Sequence, residues 1–344
     1  MNPIIWSILI TSLSTSTIIT TASHHWMLAW LGLELNTLSI LPITMKPSHP
    51  RATEATMKYF LVQALAAALI LFASTMNAWQ TGLWDITSST HTTAIITMAI
   101  LLKLGAAPVH LWYPEVLQGT TLNTALLIST WQKLAPLSLL YMMHSSLPNK
   151  LLLLTGLLSA LLGGWAGLNQ TQTRKIMAHS SIAHMGWILI ALSMTPELTT
   201  LTLLAYMIMT TAMFSSLNTS TTKTITDMGT AWSSSPTMTT LMLLTLTSLG
   251  GLPPLTGFMP KLLILNELSM KPLLPMATLL ALASLPSLFF YIRMAYTTTL
   301  TTPPTTTNIE HKWRFKITPP PAYTTTTALA LLLMPLSPTL YTTT

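Results

Sequence analysis

The sequence of 344 residues contains no cysteine, and only 7% of its residues are Asp, Glu, Lys or Arg. Without cysteine, the chain itself offers no structural disulfide, no thiolate nucleophile and no thiolate ligands for an iron–sulfur cluster. Soluble domains carry about 25% charged residues, so this chain has too few charges to cover a surface in water. Because half of its residues are hydrophobic, the composition predicts an all-α integral membrane protein.

The sequence also lacks the usual signatures of cofactor and nucleic-acid binding. It has no G-x-G-x-x-G and no Walker motif, and its net charge of +7 is spread over loops, so we predict no bound nucleotide and no nucleic-acid partner. The histidines form no convincing pair for a haem, and His179 and His184 are five residues apart, where metal ligands on one helix face are commonly four apart. We therefore expect no cofactor and no metal in this chain.

Apolar segments of about 20 residues are long enough to cross the bilayer, and the sequence contains eleven of them. The first has no basic n-region and no A-x-A-type cleavage site, so we interpret it as a retained span. We predict a single polytopic domain over residues 1–344. Its spans are 3–20, 26–45, 54–79, 92–112, 122–144, 150–169, 174–194, 198–220, 237–267, 273–298 and 323–341.

Two predicted spans contain helix breakers, GAAP at 105–108 and GGLPPLTG at 250–257. Glycine and proline interrupt helices, so we expect broken helices near both motifs. The segment 299–322 is rich in Thr and Pro, and we predict an extended loop there. Its basic-aromatic core, KWRFK at 312–316, suits the lipid headgroups, although it also suits a partner protein.

Basic residues are distributed unequally between the two sides of this predicted topology. Ten lie in loops on the side of the N-terminus and two, Lys150 and Lys271, on the other. Because loops on the cytoplasm-like side carry an excess of Lys and Arg, we expect the N-terminus on that side. The ten are Lys46, Arg51, Lys58, Arg174, Lys175, Lys223, Arg293, Lys312, Arg314 and Lys316.

Four charged residues lie in the middle of otherwise apolar predicted spans, namely Glu34, Lys103, Lys133 and Lys261. A charge at the bilayer centre costs roughly 2.5–3.5 kcal/mol even on lenient scales, and such residues commonly mark ion paths. The alternative for Glu34 is a protonated carboxyl that packs helices beside Asn36. We favour proton transfer, because scaffolds rarely keep several lysines at the membrane midplane.

A buried lysine suits proton transfer because two opposing effects on its charge are similar in size. Desolvation favours the neutral amine, whereas a carboxylate about 4 Å away favours the ammonium by about 4 kcal/mol at an effective dielectric constant of 20. Small movements of Glu34 relative to Lys103 would then switch the lysine. His110, seven residues after Lys103, and His184 are candidate connecting groups, and bonding to a backbone carbonyl is the simpler role for each.

Four motifs carry a family resemblance: KLGAAPVHLWYPE at 103–115, WQKLAP at 131–136, SSIAHMGW at 180–187 and GGLPPLTGFMPK at 250–261. With these motifs the chain resembles the antiporter-like membrane subunits of respiratory complex I, in the form found in animal mitochondria. The family pattern has fourteen helices, so the resemblance implies an antiporter-like bundle that lacks the first three.

The resemblance implies a proton-translocating membrane-arm subunit of an NADH:ubiquinone oxidoreductase in the mitochondrial inner membrane, with its N-terminus in the matrix. It gives Glu34 and Lys103 the role of a coupling pair, Lys133 a central position and Lys261 a position near the exit. NADH, flavin, iron–sulfur clusters and ubiquinone are then bound by other subunits of the complex, which are the expected partners together with phospholipids. A free-standing cation/proton antiporter and a purely structural scaffold are the alternatives.

Overall fold

Helices of the described chain follow the apolar segments of the sequence. The structure is a computed structural model, and it describes residues 3–86, 92–233, 235–300 and 321–336. Within these ranges it contains fifteen α-helices. They are α1 Pro3–Ala22, α2 Trp26–Met45, α3 Pro50–Thr81, α4 Thr93–Leu104, α5 Trp112–Gly119, α6 Leu122–Ser129, α7 Trp131–Met142, α8 Asn149–Gly167, α9 Thr173–Met194, α10 Pro196–Ser220, α11 Ile225–Thr230, α12 Pro236–Gly250, α13 Phe258–Met270, α14 Leu274–Thr299 and α15 Pro321–Leu332.

Seven of the helices in the described ranges are long and apolar enough to cross a membrane: α1, α2, α3, α8, α9, α10 and α14. Each coincides with one predicted span, which confirms an all-α multi-pass membrane protein. Three further predicted spans are built from shorter helices, and α15 covers the described part of the last one. The total of eleven crossings stays a prediction.

Contacts between Cα atoms divide the chain into two compact units, Met1–Ser159 and Ala160–Thr344, and the prediction of one domain stays a prediction. In the first unit, α2 packs between α1 and α3, and α3 also contacts α4 and α5. Helix α7 contacts α1, α2 and α4. This unit therefore surrounds α7 with helices on several sides.

Both predicted helix breaks are confirmed. Helix α4 ends at Gly105 (φ +71°) and α12 ends at Gly251 (φ +80°). In each case the glycine N–H and the next N–H bond back to carbonyls in the last turn, a C-terminal cap that favours glycine because its left-handed backbone is strained for other residues. The chain then turns before α5 and α13 begin.

The predicted span 122–144 contains a helix break that the sequence analysis did not predict. The structure has two helices there, α6 and α7, with Thr130 between them at φ −113° and ψ −72°. The Thr130 hydroxyl donates to the Leu126 carbonyl at 2.7 Å, a local bond that competes with the helix ladder. Pro136 has no N–H to donate to the carbonyl of Gln132, so the first turn of α7 is also weakened.

In the second unit, α9 is the most buried of the long helices, with 89% of the residues in its most apolar stretch buried. It contacts α10, α13 and α14, and α10 in turn contacts α12, α13 and α15. The end of α8 approaches α9 and α14 at three glycines: a Cβ on Gly163 would lie 2.6 Å from the Ala183 nitrogen, and Gly164 and Gly167 face α14. These glycines permit close helix packing, as small residues do in membranes.

Helix α11 is short and begins with a capping box. The Thr224 side chain accepts a hydrogen bond from the Asp227 N–H, and the Asp227 carboxylate accepts from the N–H groups of Lys223 and Thr224 at 3.1 and 2.9 Å. Partial burial raises the pKa of Asp227, but the hydrogen bonds from Thr224 and Lys223 outweigh it and leave the pKa below the ordinary value. The cap is therefore strongest with the carboxylate ionised.

The predicted loop 299–322 cannot be compared with the structure, because residues 301–320 lie outside the described ranges. Helix α14 continues to Thr299, and α15 begins at Pro321. The end of the predicted span 323–341 also lies outside the described residues, from 337 onward.

Candidate functional site

Glu34 lies midway along α2 and is half-buried. Its Oε2 atom is buried, and it has no hydrogen-bond partner among the described residues. The nearby Thr37 hydroxyl donates to the backbone carbonyl of Glu34 at 2.8 Å, not to the carboxyl. The packing alternative requires hydrogen bonds between this carboxyl and the neighbouring polar residues. The contacts of the described residues show none for Oε2.

Lys103 is in the last turn of α4, two residues before the break at Gly105, and only 6% of it is exposed. Its Nζ atom is buried and makes no hydrogen bond within the described ranges. The charges of Glu34 and Lys103 interact, although the salt bridges of the described residues, which require an N–O distance of 4.0 Å or less, do not include this pair. The two groups are therefore electrostatic neighbours without direct contact.

Lys133 lies in the first turn of α7, directly after the break at Thr130, and is 3% exposed. Its Nζ atom is 5.3 Å from the centre of the Tyr113 ring, within the range of a cation–π contact. Lys103 and Lys133 line one small cavity of about 20 Å³. The cavity thus brings together two lysines that are thirty residues apart in the sequence.

Uncharged polar side chains that the sequence analysis did not assign to the site complete the walls of this cavity. Gln132 donates to the Asn36 side chain at 3.1 Å, and the Tyr59 hydroxyl donates to Gln132 at 3.4 Å. Gln63 donates to the backbone carbonyl of Lys103 at 3.3 Å. Isolated amides inside apolar helices are uncommon and usually bond across helices, and this signal would have singled out Gln63 and Gln132.

His110 does not have the position that helical spacing from Lys103 predicts. The chain turns at Gly105, so the two residues are not on one continuous helix. His110 is buried, its Nδ1 lies 3.2 Å from the Pro108 carbonyl, and it is not among the residues that line the cavity of Lys103 and Lys133. Its local contact is thus to a backbone carbonyl, the simpler of the two predicted roles.

Glu115, at the end of the motif 103–115, pairs with a basic residue. Its Oε2 lies 2.7 Å from the Nζ atom of Lys58, which also contacts Glu54 at 2.7 Å. All three side chains are well exposed, so each pair contributes at most about 1 kcal/mol. The cluster links the exposed ends of α3 and α5.

In the second unit, Lys261 lies in the first turn of α13 beside the break that follows α12. Its Nζ atom donates to the Gly250 carbonyl at 2.9 Å and lies 5.8 Å from the centre of the Trp187 ring. The side chain also passes close to Gly251, where an added Cβ would lie 3.0 Å from Nζ and Cδ. Each of the three lysines is thus next to a helix break.

His184 lies on α9 within the same unit and is 9% exposed. Its Nε2 is 3.3 Å from the hydroxyl of Tyr291 on α14, and its ring lies 5.6 Å from that of Tyr206 on α10. His184 and Lys261 line one small cavity of about 20 Å³, together with Trp187 and Tyr206. The second unit therefore also joins two titratable side chains around one cavity.

In the described part of the chain, no group of three or more His, Asp, Glu or Cys side chains is arranged to hold a metal ion. The groups that the structure brings together are amines, an imidazole, phenols and amides. A carboxyl lies within electrostatic reach of one amine. The amines, the imidazole and the carboxyl are each chemically able to take up or release a proton, whereas the amides can only form hydrogen bonds.

Two family models match the sequence. The NADH:quinone oxidoreductase/Mrp antiporter transmembrane model matches residues 23–286, and the model for the NADH dehydrogenase subunit 2 C-terminus matches residues 288–341. Among curated proteins, the chain is 53% identical to NADH-ubiquinone oxidoreductase chain 2 of Salmo salar over 343 residues, with 98% of each chain covered. It is 51% identical to the protein of the same name from Coturnix japonica over 340 residues, again covering 98% of each.

Two solved structures are also similar to this chain. A chain of respiratory complex I from Thermus thermophilus, solved with bound aureothin, superposes with a TM-score of 0.85 and 26% identity, covering 96% of this chain and 77% of that one. A chain of the Mrp complex from Dietzia sp. shares the fold, with a TM-score of 0.80 and 17% identity over 97% of this chain and 76% of that one. The chain therefore belongs to the NADH:quinone oxidoreductase/Mrp antiporter transmembrane family.

Proposed function

We propose that this chain is a proton-translocating membrane-arm subunit of a respiratory NADH:ubiquinone oxidoreductase. The observation that carries the proposal is the cavity of the first unit, where two buried lysines from different helices share one polar space. A half-buried carboxyl lies within electrostatic reach of one of them. Family membership and relatives named NADH-ubiquinone oxidoreductase chain 2 support the same assignment.

In the proposed mechanism, Glu34 controls the charge of Lys103. Unit charges about 4 Å apart interact by about 4 kcal/mol at an effective dielectric constant of 20, which is comparable with the several kcal/mol that burying an ion costs. Since the two groups are not in contact in this structure, a movement of α2 toward α4 would strengthen their interaction and hold the proton on Lys103. A movement apart would release it.

The released proton passes to Lys133 through the shared cavity, whose walls offer amide and phenol groups that can orient water. In the second unit, Lys261 and His184 form another transfer pair around their own cavity. Lys261 is near the exit in this proposal. His110 remains a proposed connecting group, with a local bond to Pro108 that a proton transfer would have to break.

The chain supplies no thiolate for an iron–sulfur cluster, so the proposal assigns NADH oxidation, the clusters and quinone reduction to other subunits of the complex. Those subunits and the surrounding phospholipids are the partners. The proposed location is the mitochondrial inner membrane. The ten-to-two distribution of basic loop residues favours an N-terminus in the matrix.

The proposal is tested with Lys103→Met in the intact complex, reconstituted in liposomes. The change removes the amine but keeps an unbranched apolar side chain, and loss of a proton-transferring group typically slows its step by 10²–10⁴-fold. We expect proton pumping and coupled ubiquinone reduction to fall together. NADH oxidation by a water-soluble electron acceptor should stay unchanged, because it needs no proton movement through this chain.

Lys150→Met is the matched control, since it removes one positive charge from an exposed residue at the start of α8. Full pumping in Lys103→Met, in a complex that is assembled to the control's level, would overturn the proposal. Flux of sodium or potassium ions driven by the purified chain alone, in liposomes, would instead support a free-standing antiporter.

A further inference from the structure

Gln132 joins three helices of the first unit through its side-chain amide. Its nitrogen donates to Asn36 on α2 at 3.1 Å, and its oxygen accepts from the Tyr59 hydroxyl on α3 at 3.4 Å. All three side chains are at least nine-tenths buried, and all line the cavity of Lys103 and Lys133. Both ends of one amide are thus used, in a place where an unpaired polar group is costly.

The position of Gln132 in the chain gives this amide a mechanical role. It is the second residue of α7, between the break at Thr130 and Lys133. The first N–H groups of a helix have no partner within it, and Pro136 cannot donate to the carbonyl of Gln132. The helix ladder therefore holds this turn weakly, and the bonds to Asn36 and Tyr59 fix it to the neighbouring helices.

The same amide also links the helix that carries Glu34 to the first turn of the helix that carries Lys133. Asn36 is two residues from Glu34 on α2, and Gln132 is the residue before Lys133 on α7. A shift of α2 that changes the distance between Glu34 and Lys103 would pull on the bond between Asn36 and Gln132. The bond would thereby transmit the shift to Lys133.

We propose that Gln132 is a positioning residue that holds the amine of Lys133 in register with Lys103 and couples it to the movement of α2. This inference rests on the proposed function. It concerns a side chain that need not exchange a proton itself.

The test is a double-mutant cycle in the intact complex with Gln132→Met, Asn36→Leu and both together. If the residues act through their shared bond, each single change should reduce coupled turnover about tenfold, and the double change should cost little more than either single one. A misplacement of about 1 Å is enough to slow a reaction up to 100-fold. Independent effects that multiply in the double variant would overturn the coupling.

A pH profile of coupled turnover separates positioning from a loss of stability. The titratable groups that line the cavity with Lys133 are Tyr59 on α3, Lys103 on α4 and Tyr113 on α5, and Glu34 on α2 lies within electrostatic reach of Tyr59 and Lys103. Displacement of Lys133 among them should move the half-maximal pH by about half a unit or more, equivalent to about 0.7 kcal/mol. A change in stability alone would scale the rate equally at every pH, and that result would also count against the inference.

Thr44→Val is the matched control, because Thr44 is equally buried on α2 and its hydroxyl donates only to the Leu41 carbonyl of its own helix. It should leave both the rate and the pH profile unchanged. Lys133→Met distinguishes the two proposals. If it abolishes pumping while Gln132→Met has no effect, the function stands and the positioning role fails; if both are silent, the proposed function fails.

Discussion

Gly251 offers a direct test of whether the position of the Lys261 amine matters. It ends α12 at φ +80°, and an added Cβ would lie 3.0 Å from the Cδ and Nζ atoms of Lys261 and 3.2 Å from Cε. Carbon atoms in good contact are about 3.5–4.0 Å apart, so in Gly251→Ala the end of the lysine side chain has to move by about 0.5 Å. That movement disturbs its 2.9 Å hydrogen bond to the Gly250 carbonyl.

Two separate effects are expected from Gly251→Ala. The left-handed backbone costs an alanine about 1–2 kcal/mol, which lowers the stability of the unit. The contact with Lys261 adds little to that energy, because the end of a flexible side chain yields easily. Displacing the amine by about 0.5 Å should nevertheless slow proton pumping roughly 3- to 10-fold, since geometric errors of about 1 Å cost up to 100-fold.

Gly82→Ala is the control that separates these effects. Gly82 ends α3 at φ +72°, and an added Cβ there meets nothing within 4 Å. Both variants should lower the thermal unfolding temperature of the complex by similar amounts, whereas only Gly251→Ala should slow proton pumping and coupled ubiquinone reduction. Equal pumping by the two variants would show that the exact position of the Lys261 amine is unimportant and would refute the reasoning.

Two further predictions concern packing and capping in the second unit. Gly163→Val should destabilise it by about 1–3 kcal/mol, the usual cost of overpacking, because even a Cβ would lie 2.6 Å from the Ala183 nitrogen; unchanged thermal unfolding would contradict this. The hydrogen-exchange protection of residues 223–230 should be present at neutral pH and decline as the pH falls through the pKa of Asp227, which lies below the ordinary value of an aspartate. Asp227→Ala should be less protected at neutral pH, by about 1 kcal/mol, and should lack that decline; an identical pH response would refute the role of the carboxylate.

The broken helices show what local sequence can and cannot predict. Glycine marks the ends of α4 and α12, and these breaks were predictable because few other residues adopt a positive φ without strain. The break at Thr130 was not predictable in the same way. Its nearest proline, Pro136, is six residues away, and the local hydroxyl bond to Leu126 depends on a rotamer that composition does not reveal.

The candidate site was predictable as a set of charges but not as an arrangement. The cost of burying charge singles out Glu34, Lys103, Lys133 and Lys261 from the sequence alone. Which of them share a cavity depends on how α2, α3, α4 and α7 pack, and the bonds from Gln132 connect residues 96 and 73 positions apart. The position of His110 relative to Lys103 was not predictable from their spacing of seven residues, because the chain turns at Gly105 between them.

The end of α8 contributes no titratable group to either cavity, and yet it governs a contact between two other helices. One side of it touches the backbone of α9 near Ala183, and the other touches α14 at Pro286 and Phe290. The end of α8 therefore separates α9 from α14. The separation is small because Gly163, Gly164 and Gly167 carry no side chain there. A larger side chain at these glycines would push α9 and α14 apart and lengthen the 3.3 Å contact between His184 and Tyr291, so an added methyl group would change the surroundings of a titratable group that it does not touch.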